Sequence, residues 1–586
     1  MRYDIVLVTY NSEKWLLPCV NALSQVQYPL SELHIIFADN ASCDDTISIL
    51  HKLKMQYPAF GAFDIIENAK NLGFGAACNI GADIGNADNI FFLNTDTSVN
   101  SEIFTELDLA MSSHLDAAAF ECRQTPYETG HHIDPVTLET TWASGAALVV
   151  KREFFVKAGG FDKHLFMYCE DVDLSWRLRA LGKSIIYVPR AKLIHYAYET
   201  AKNGMKLGEY CGSFYGNLLL RYKFGSFKDI INGHKMYLGA IKQPLHFDNV
   251  RKALAKNYIK SFVSMWHFLF WRYSHRAEFN MHTSHFDGGF DADRGLARLN
   301  DFTNKPLVSV IARTAHRPQL LRLALTTLLH QTYDNFEVIV CEDGDDKLSD
   351  MLNGEFSKLN ILYCPHKPAI GRAANGNSGL QLAKGEYCMF LDDDDLLYPD
   401  HIELFMSIAQ QHPCADLILG SAMAMFVDEC NNSPYPYKVR ELKSMVFDRI
   451  DIYNMCADCR IPIEAACFKR TLYEKYGGLC EKLDANEDWA MWLKYLAHAK
   501  TISVAGPDIK RMTSLFVQNA NEEFAEKRKK DYAKENDKFY SDTSIRFDLS
   551  LKDMRTYQKA VLGDIEHLFY TGQLEEYLKA TKSKYN

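Results

Sequence analysis

The feature that most constrains this chain is an internal repeat of four landmarks, which occur twice and in the same order. In the first copy they read YDIVLVTYNS, LHIIFADNAS, NIFFLNTDT and LFMYCEDVDLSWRLRALG. In the second copy they read PLVSVIARTAHRP, FEVIVCEDGDD, YCMFLDDDD and LDANEDWAMWLKYLAHA. Equivalent aspartates in the last three landmarks are separated by 304, 298 and 317 residues. A repeat of this kind predicts two related domains, at residues 1–200 and 305–515.

The segments outside the repeats are predicted to be helical. Residues 201–304 form a linker with helix-like and aromatic stretches, and residues 516–586 form a strongly charged tail. The linker contains FVSMWHFLFW at residues 262–271, between Lys256 and Lys260 on one side and Arg272 and Arg276 on the other. Aromatic residues between basic ones can mark a helix that lies in the headgroup layer of a membrane. A core helix packed between the domains explains the pattern equally well.

Each copy predicts an α/β domain with a mainly parallel sheet. Apolar runs of strand length, such as DIVLV and NIFFL, alternate with amphipathic segments of helical period. Strands buried on both faces read as continuous apolar runs, as these do. Ligands of such sheets bind beyond the carboxyl ends of the strands. The polar residues that end the strands, Asp39 and Asp96 in one copy and Asp343 and Asp394 in the other, are therefore predicted to share a crevice in each copy.

Composition and charge narrow the class of protein. The chain has 586 residues and a net charge of −10, which argues against a general nucleic-acid binder. Its 15 cysteines show no repeating spacing, and we expect no signal peptide. This usage favours a reduced, cytoplasmic compartment. No apolar run reaches the about 18 residues that a membrane span requires.

Four consecutive aspartates, residues 392–395, follow the buried run that ends at Leu391. Taken alone, such a cluster is more often a solvated turn. Asp96 stands at the equivalent place in the first copy, and this recurrence favours a cation site instead. Oxygen ligands select Mg²⁺ or Mn²⁺, which keep waters and complete their coordination with substrate phosphates.

A second acidic landmark precedes a predicted helix in each copy: Glu170 and Asp171, and Glu487 and Asp488. Acidic residues are common in a first helical turn because the helix dipole favours them. A carboxylate beside a metal-bound leaving group is also a natural general base for a hydroxyl. Both interpretations remain open for either pair considered by itself.

Together these motifs resemble the family-2 glycosyltransferases, which have the GT-A fold. The resemblance spans both copies: FLDDDD resembles the DxD metal motif of that family, while NEDWAMWL and CEDVDLSWRL resemble its ED motif. The first copy is most similar to bacterial rhamnosyl- and galactofuranosyltransferases, and the second to O-antigen and capsule glycosyltransferases. The resemblance implies transfer of a sugar from a nucleotide-sugar, with inversion at the anomeric carbon.

The resemblance also implies roles for individual residues. Asp171 and Asp488 would be the catalytic bases, with Glu170 and Glu487 helping to hold the acceptor. Asp96 and Asp394 would bind the metal that holds the diphosphate. The implied nucleotide-sugar ligands are Thr9, Tyr10, Asn11, Asp39 and Asn94 in the first copy and Arg313, Thr314, Asp343, Asp392 and Asp393 in the second.

Two departures from the family pattern stand out. In the first copy Asn94 replaces an aspartate of the metal motif. Relatives among the rhamnosyl- and galactofuranosyltransferases often add a histidine as a metal ligand after the last core strand, and His195 stands at that place. In the second copy Arg511 is followed by Met512, where many relatives carry a histidine two residues after an arginine, so we expect that metal ligand to be absent.

Tryptophans near the ED motifs are candidates for stacking on acceptor sugars. Trp489 is the strongest of these, and Trp142 is a second; Trp176 and Trp492 are further candidates. Tryptophan at helical spacing is more often part of a core, and that alternative stays open for each.

The leading hypothesis is a bifunctional, metal-dependent, inverting glycosyltransferase that uses UDP- or dTDP-sugars. It would extend a lipid-linked glycan in bacterial O-antigen or capsule synthesis, in the cytoplasm or peripherally on the inner face of the plasma membrane. A nucleotidyltransferase is disfavoured, because neither VTYNSEKW nor IARTAHRP is a Gly-rich, basic phosphate loop. The remaining alternative keeps one copy catalytic and uses the other as a glycan-binding or structural module.

Overall fold

The structure is a computed structural model of the whole chain. It describes residues 2–126, 131–196, 207–245, 247–275, 302–429, 436–445, 455, 459, 461–483, 485–503 and 512–519. The predicted helical tail lies outside these residues from position 520 onwards.

The first copy alternates strands and helices, as its sequence predicts. Its strands are Tyr3–Thr9 (β1), Leu33–Asp39 (β2), Ala62–Glu67 (β3), Asn89–Leu93 (β4), Thr97–Val99 (β5), Ala117–Thr125 (β6), Ala147–Lys151 (β7) and Ser184–His195 (β8). Its helices are Glu13–Ser24 (α1), Thr46–Gln56 (α2), Phe74–Ile84 (α3), Ile103–Ser113 (α4), Arg152–Ala158 (α5) and Glu170–Ala180 (α6).

These strands form one sheet in the order β3-β2-β1-β4-β7-β6-β8-β5. Four of its seven neighbouring pairs are parallel. Strands β1, β2 and β4 are almost wholly buried, because helices cover both faces of the sheet. The carboxyl ends of β2 and β4 and the end of β8 carry Asp39, Asn94 and His195 to one edge.

Three helices follow the first copy and pack against it: Leu207–Phe224 (α7), Phe227–Lys242 (α8) and Val250–Ser274 (α9). Ser226 starts α8 with a capping box, in which its hydroxyl accepts from the Asp229 backbone. Buried Lys223 of α7 bonds Asp162 and, at 2.6 Å, Asp173 of α6. The predicted linker is therefore helical where it is described, and it is anchored to the first copy.

The second copy repeats this element order. Its strands are Val308–Thr314 (β9), Phe336–Asp343 (β10), Ile361–His366 (β11), Tyr387–Asp392 (β12), Leu396–Leu397 (β13), Leu417–Leu419 (β14), Ser421–Glu429 (β15), Tyr437–Met445 (β16), Ala466–Lys469 (β17), Thr501–Ser503 (β18) and Met512–Asn519 (β19). Its helices are Pro318–Leu329 (α10), Ser349–Glu355 (α11), Arg372–Leu382 (α12), His401–Gln411 (α13), Arg470–Tyr476 (α14) and Glu487–His498 (α15).

The main sheet of the second copy has the order β11-β10-β9-β12-β17-β14-β18, which matches the first copy strand for strand over seven positions. A further sheet, β13-β19-β15-β16, stands beside the four aspartates. Its strand β19 extends four residues beyond the predicted domain boundary at 515. The α/β fold with mainly parallel sheets in two related copies is confirmed.

The two copies pack directly on each other. Arg123 of β6 and Glu403 of α13 form an ion pair of 2.6 Å with both side chains buried. Nearby, Nδ1 of His132 lies 2.9 Å from the Tyr398 hydroxyl, and Arg190 donates to the backbone carbonyl of Gln331. Loss of one partner from a buried ion pair is strongly destabilising, so this contact is expected to stabilise the packing of the copies.

Among the described residues no helix combines the length and the apolar character that crossing a bilayer requires.

Two candidate active sites

A cavity of about 560 Å³ opens at the strand-end edge of the first copy. Helix α6 forms one wall, the ends of β4 and β8 form another, and α7 closes a third side. Residues predicted from distant parts of the sequence meet in it: Asn94, Asp96, Trp142, Glu170, Asp171 and His195 all line this cavity.

His195 is oriented by a residue that the sequence did not indicate. Its Nδ1 lies 2.7 Å from Oε1 of Gln124, an atom that can only accept, so Nδ1 carries the proton. Nε2 then presents a lone pair to the cavity, 3.5 Å from the Asn94 amide nitrogen and 3.4 Å from Oδ1 of Asp96. Gln124 thereby sets the tautomer and the direction of the ring.

These donors fit a divalent transition ion. Neutral imidazole nitrogen and carboxylate oxygen are both ligands for Mn²⁺ and related ions. Two ligand atoms that each lie about 2.1 Å from one ion are about 3.0–3.5 Å apart, as Nε2 of His195 and Oδ1 of Asp96 are. The separation therefore matches neighbouring positions around a single ion.

Asp171 is held at the start of α6 by backbone donors. Oδ2 accepts from the Gly145 amide at 2.9 Å, and Oδ1 accepts from the Val172 amide at 2.8 Å. Burial nevertheless raises the pKa of Asp171, and for Glu170 burial and the adjacent Asp171 raise the pKa well above its usual value. A carboxylate with a raised pKa in a cavity is suited to take a proton.

A second group of strand-end residues, which does not line the cavity, forms a hydrogen-bonded unit in the first copy. Asp39 is buried and accepts from the Thr9 hydroxyl at 2.7 Å and from the amide of Ser42 at 2.9 Å. Tyr10 is 53% exposed, so its ring is free to stack on a planar group. Asn11 takes a positive φ of 51° in the same turn and accepts from the Cys43 amide.

Arginines dominate the equivalent crevice of the second copy. Buried Arg313 makes a two-pronged contact with Asp392, at 2.7 Å for both bonds. The same guanidinium reaches Oε1 of Glu487 at 3.2 Å, and Nε of Arg372 lies 2.8 Å from the same oxygen. Burial alone would raise the pKa of Asp392, but the charge and hydrogen bonds of Arg313 outweigh burial and hold it below its usual value.

The four aspartates have four different environments. Asp393 is buried beside the Thr314 hydroxyl, and burial raises its pKa to about 7. Arg317 bonds Asp393 and also Oδ2 of Asp394 at 2.8 Å. Asp395 accepts from the backbone at the far end of β19, and burial followed by the charge of Glu464 raises its pKa.

One group within this tetrad could hold a hard cation. Carboxylate oxygens of Asp392, Asp394 and Asp395 lie within 4.8 Å of one another. Oxygen-only donors suit Mg²⁺ or Mn²⁺. An ion there would share Asp394 with Arg317.

Asp488 and Asp343 complete the second crevice. Burial first, and the neighbouring Glu487 second, raise the pKa of Asp488 to about 6, and its Oδ1 accepts from the Trp489 amide at 2.8 Å. Asp343 fixes the loop before α12, because its two oxygens accept from the amides of Ile370 and Gly371 at 2.7 and 3.1 Å.

The tryptophans divide into one cavity residue and three core residues. Trp142 lines the first cavity, with its ring 4.7 Å from that of His131. Trp489 is only 3% exposed, and its indole N–H donates to the Met455 carbonyl, so it presents no face for stacking on a sugar. The expectation that Trp489 contacts the acceptor therefore does not fit the structure; Trp176 and Trp492 are buried as well.

Several residues of these sites carried no sequence signal. Gln124 lies outside the four landmarks of the repeat. Arg372 occupies the position at which the first copy has Phe74. Arg317 lies within the segment IARTAHRP, and its contact with the aspartates depends on the tertiary fold.

Comparison with known proteins agrees with the repeat. The family described as glycosyl transferase family 2 matches residues 4–173 and again residues 309–463, together more than half of the chain.

Curated relatives are glycosyltransferases of bacteria and archaea. The uncharacterised glycosyltransferase MJ1057 of Methanocaldococcus jannaschii is 24% identical over 204 residues, which cover 33% of this chain and 66% of that protein. The putative glycosyltransferase EpsH of Bacillus subtilis is 32% identical over 21% of this chain and 36% of its own length. An N-acetylglucosaminyl-diphospho-decaprenol L-rhamnosyltransferase of Mycobacterium tuberculosis is 38% identical over 14% of this chain and 27% of its own length. The chain thus spans between about a quarter and two thirds of these relatives.

Solved structures give weaker likenesses. The mannosyltransferase PcManGT of Pyrobaculum calidifontis, in complex with GDP-Man and Mn²⁺, aligns with 47% of this chain and 87% of its own at 14% identity and a TM-score of 0.34. S. aureus TarS 1–349 aligns with 46% of this chain and 81% of its own at 14% identity and a TM-score of 0.33.

Proposed function

The chain belongs to glycosyl transferase family 2, and from this we propose that it is a bifunctional, inverting glycosyltransferase with one active site in each copy. One observation carries the proposal. The first cavity brings Asp171 of the ED motif together with Asp96 and His195, although these residues are far apart in sequence. The second copy carries Asp488 and Asp394 on the equivalent helix start and strand end.

Donor binding in the first copy would use two groups of residues at the strand-end edge. Asp96 and His195 would hold Mn²⁺ or Mg²⁺, with Asn94 beside them. When bound, the ion would neutralise charge on the diphosphate and make it a better leaving group. Tyr10 is exposed and could stack on the base, while Thr9, Asp39 and Asn11 would shape the pocket around it.

The transfer itself needs one base and no covalent intermediate. The acceptor hydroxyl oxygen would form the new bond to the anomeric carbon as the bond from that carbon to the diphosphate oxygen breaks, and the hydroxyl proton would pass to Asp171. The raised pKa and the cavity position of Asp171 support this role. Glu170 lies beside it, and among the described residues its Oε2 has no hydrogen-bond partner, which leaves that atom available to a sugar hydroxyl.

The second copy would use the same chemistry with a different donor pocket. Asp488 would be the base, Glu487 would help to hold the acceptor, and Asp394 would bind the metal with Asp392 and Asp393 nearby. Arg313 and Thr314 would line the nucleotide pocket, and Asp343 would hold the loop that covers it. Because the arginines have no counterparts among the first copy's cavity residues, we infer that the two copies take different donors.

The acceptor is proposed to be a lipid-linked glycan of bacterial O-antigen or capsule synthesis, and the donors UDP- or dTDP-sugars. Similarity to a rhamnosyltransferase named for a diphospho-decaprenol-linked sugar supports an acceptor of this class. Such an acceptor presents its sugar at a membrane surface, so the chain would act there as a peripheral protein on the cytoplasmic side.

A second candidate function has one observation in its favour. Arg317 bonds Asp394, and Arg313 bonds Asp392. The negative charge of the four aspartates is therefore partly neutralised by the protein itself. On this alternative the second copy binds a glycan or supports the first copy, and only the first copy transfers sugar.

Product analysis by mass spectrometry distinguishes the two. Wild type, Asp96→Ala and Asp394→Ala would be supplied with Mn²⁺, a panel of UDP- and dTDP-sugars and a synthetic lipid-linked acceptor, with exposed Asp116→Ala as a matched control. Loss of a different sugar addition in each site variant supports two enzymes in one chain. If Asp96→Ala abolishes transfer and Asp394→Ala changes nothing, the second copy is a binding or structural module. Full activity in both variants would refute the proposed metal sites.

A further inference from the structure

Helix α9 has two apolar faces, and among the residues that the structure describes only one of them packs into a core cluster. Val250, Leu254, Ser261 and Phe268 face inward, and the three apolar members among them pack in the cluster that α9 forms with α7 and α8. On the other side six large apolar residues are exposed, by 43% to 81%: Ile259, Phe262, Val263, Trp266, Phe270 and Tyr273.

The exposed residues form one continuous stripe. Their spacing of three, four or one positions, at about 100° per residue, keeps all six within a sector of about 100° on the helix. The inward-facing residues lie on the opposite side. Soluble proteins rarely leave a contiguous patch of this kind uncovered, so such a patch marks a site of interaction. Four of the six, Phe262, Trp266, Phe270 and Tyr273, are aromatic residues of the types enriched where proteins meet a bilayer interface.

The charge of α9 indicates what covers the stripe. The helix contains five basic residues and no acidic residue, although the whole chain has a net charge of −10. Lys252 and Lys256 are exposed one to two turns before the stripe, on the same side of the helix. A basic segment beside an apolar, aromatic stripe complements a surface that is anionic outside and apolar beneath.

We propose that this face of α9 docks on the surface of an anionic lipid bilayer. Trp266, Phe270 and Tyr273 enter the boundary between headgroups and acyl chains, while Lys252 and Lys256 contact lipid phosphates. The helix lies in the interface and does not cross it, since its inward face is committed to the protein core.

Docking would bring the first cavity close to the membrane. The hydroxyl of Tyr215 in α7 lies 2.8 Å from the hydroxyl of Ser264 in α9, which ties the two helices together. Helix α7 in turn contributes Ser213, Phe214 and Asn217 to the cavity wall. This extension rests on the proposed function: a lipid-linked acceptor would reach the cavity along the α7–α9 side.

Vesicle flotation of the full chain tests the proposal. The probes are vesicles of phosphatidylcholine alone and of phosphatidylcholine with phosphatidylglycerol, at low and high salt. Wild type is expected to float with the anionic vesicles, and added salt should weaken this binding. The double variant Trp266→Ser/Phe270→Ser should lose at least about tenfold in bound-to-free ratio, as should Lys252→Glu/Lys256→Glu.

Control variants distinguish binding through this face of α9 from non-specific binding to vesicles. Leu115→Ser/Val156→Ser removes two equally exposed apolar side chains elsewhere in the first copy, and Lys358→Glu changes an exposed lysine of the second; both should bind as wild type does. Transfer to a water-soluble acceptor should be unchanged in the Trp266→Ser/Phe270→Ser variant, so a docking failure is distinguishable from a failed active-site assignment.

Three outcomes would overturn the proposal. The first is a wild-type chain that stays off anionic vesicles. The second is equal binding by wild type and the Trp266→Ser/Phe270→Ser variant. The third is a wild-type oligomer, seen by light scattering, that this variant dissociates, since a second copy of the chain would then cover the stripe.

Discussion

Gln124 accepts a hydrogen bond from Nδ1 of His195 at 2.7 Å, and this bond directs Nε2 of the same ring at Asp96. Gln124 lies outside the four landmarks of the repeat. The two ring nitrogens of a histidine cannot both be protonated if one is to bind a metal. The partner of the first nitrogen therefore decides whether the second is available. In this chain that partner is an amide on the neighbouring strand β6.

Replacing Gln124 is expected to weaken the metal site without removing a ligand. In a chain that carries Asp394→Ala, so that only the first site titrates, Gln124→Ala should raise the Mn²⁺ concentration needed for half-maximal transfer by about 10–100-fold. Saturating Mn²⁺ should restore most of the rate. Gln124→Glu keeps an acceptor for Nδ1 and should retain more affinity than Gln124→Ala.

The control for this measurement is Gln411→Ala, an exposed glutamine of α13 whose described side-chain hydrogen bonds are to Ser407 in the same helix. It should leave the Mn²⁺ dependence unchanged. An unchanged Mn²⁺ dependence in Gln124→Ala would contradict the positioning role.

The pH dependence of the second transfer should report Asp488. Burial and Glu487 raise the pKa of Asp488 to about 6, and a general base works only when it is ionised. In an Asp171→Asn chain, where only the second copy transfers, kcat/KM should be level above this pKa. Below it kcat/KM should fall about tenfold per pH unit.

A rate profile that stays flat down to about pH 5 would exclude Asp488 as the titrating base. Asp488→Asn should abolish the second transfer while nucleotide binding, followed by calorimetry, is largely kept. Asp171→Asn should do the same to the first transfer.

The buried ion pair of Arg123 and Glu403 between the copies allows the cost of an unpaired buried charge to be measured. Arg123→Met leaves Glu403 buried without its cation and is expected to cost about 3–5 kcal/mol of unfolding free energy in urea. The double variant Arg123→Met/Glu403→Leu removes both charges and should cost less than Arg123→Met alone. The exposed pair Arg322–Glu355 provides the control, and Arg322→Met should cost at most about 1 kcal/mol.

Equal losses for Arg123→Met and Arg322→Met would mean that the contact between copies adds nothing beyond a surface pair. A double variant less stable than Arg123→Met would show that the ion pair itself, rather than an unpaired charge, carries the stability.

Much of the fold was predictable because parallel strands leave local signals. Apolar runs such as those ending at Asp39 and Asp343 give the strands, and the repeat gives the same sheet order twice. In the first copy Asn94, Asp96 and His195 line one cavity, whereas Asp39 is not among the residues that line it. The resemblance to a known family, rather than periodicity, is what singled out His195.

The contacts between side chains were not predictable in the same way. Gln124, Arg317 and Arg372 act through partners that are far away in sequence. The residues next to them in sequence do not indicate these contacts. Trp489 shows the opposite error. Its place next to Asp488 suggested an acceptor contact, but residues adjacent on a helix face different directions, and Trp489 points into the core.

Two equivalent glycines provide a comparison of backbone strain with steric clash. Gly73 before α3 and Gly371 before α12 have φ of +86° and +93°, in a region that side chains rarely adopt. An added Cβ at Gly73 would lie 2.2 Å from the Phe166 carbonyl oxygen, whereas at Gly371 it would meet nothing within 4 Å. Alanine at either position should cost about 1–3 kcal/mol for the backbone conformation, and at Gly73 the clash adds to this.

The clash at Gly73 should also reach the first active site. Phe166 lies five residues before Asp171, and the Phe74 amide donates to its carbonyl at 3.0 Å, so a displaced Phe166 shifts the segment that leads into α6. Gly73→Ala is therefore expected to reduce the first sugar addition by at least about tenfold, since small displacements of catalytic groups are costly, and to spare the second addition. Gly371→Ala should lower stability but retain most of the second addition. Urea unfolding and mass spectrometry of the products measure both effects, and equal losses of activity at the two sites would show that backbone strain alone, and not the contact with Phe166, governs this loop.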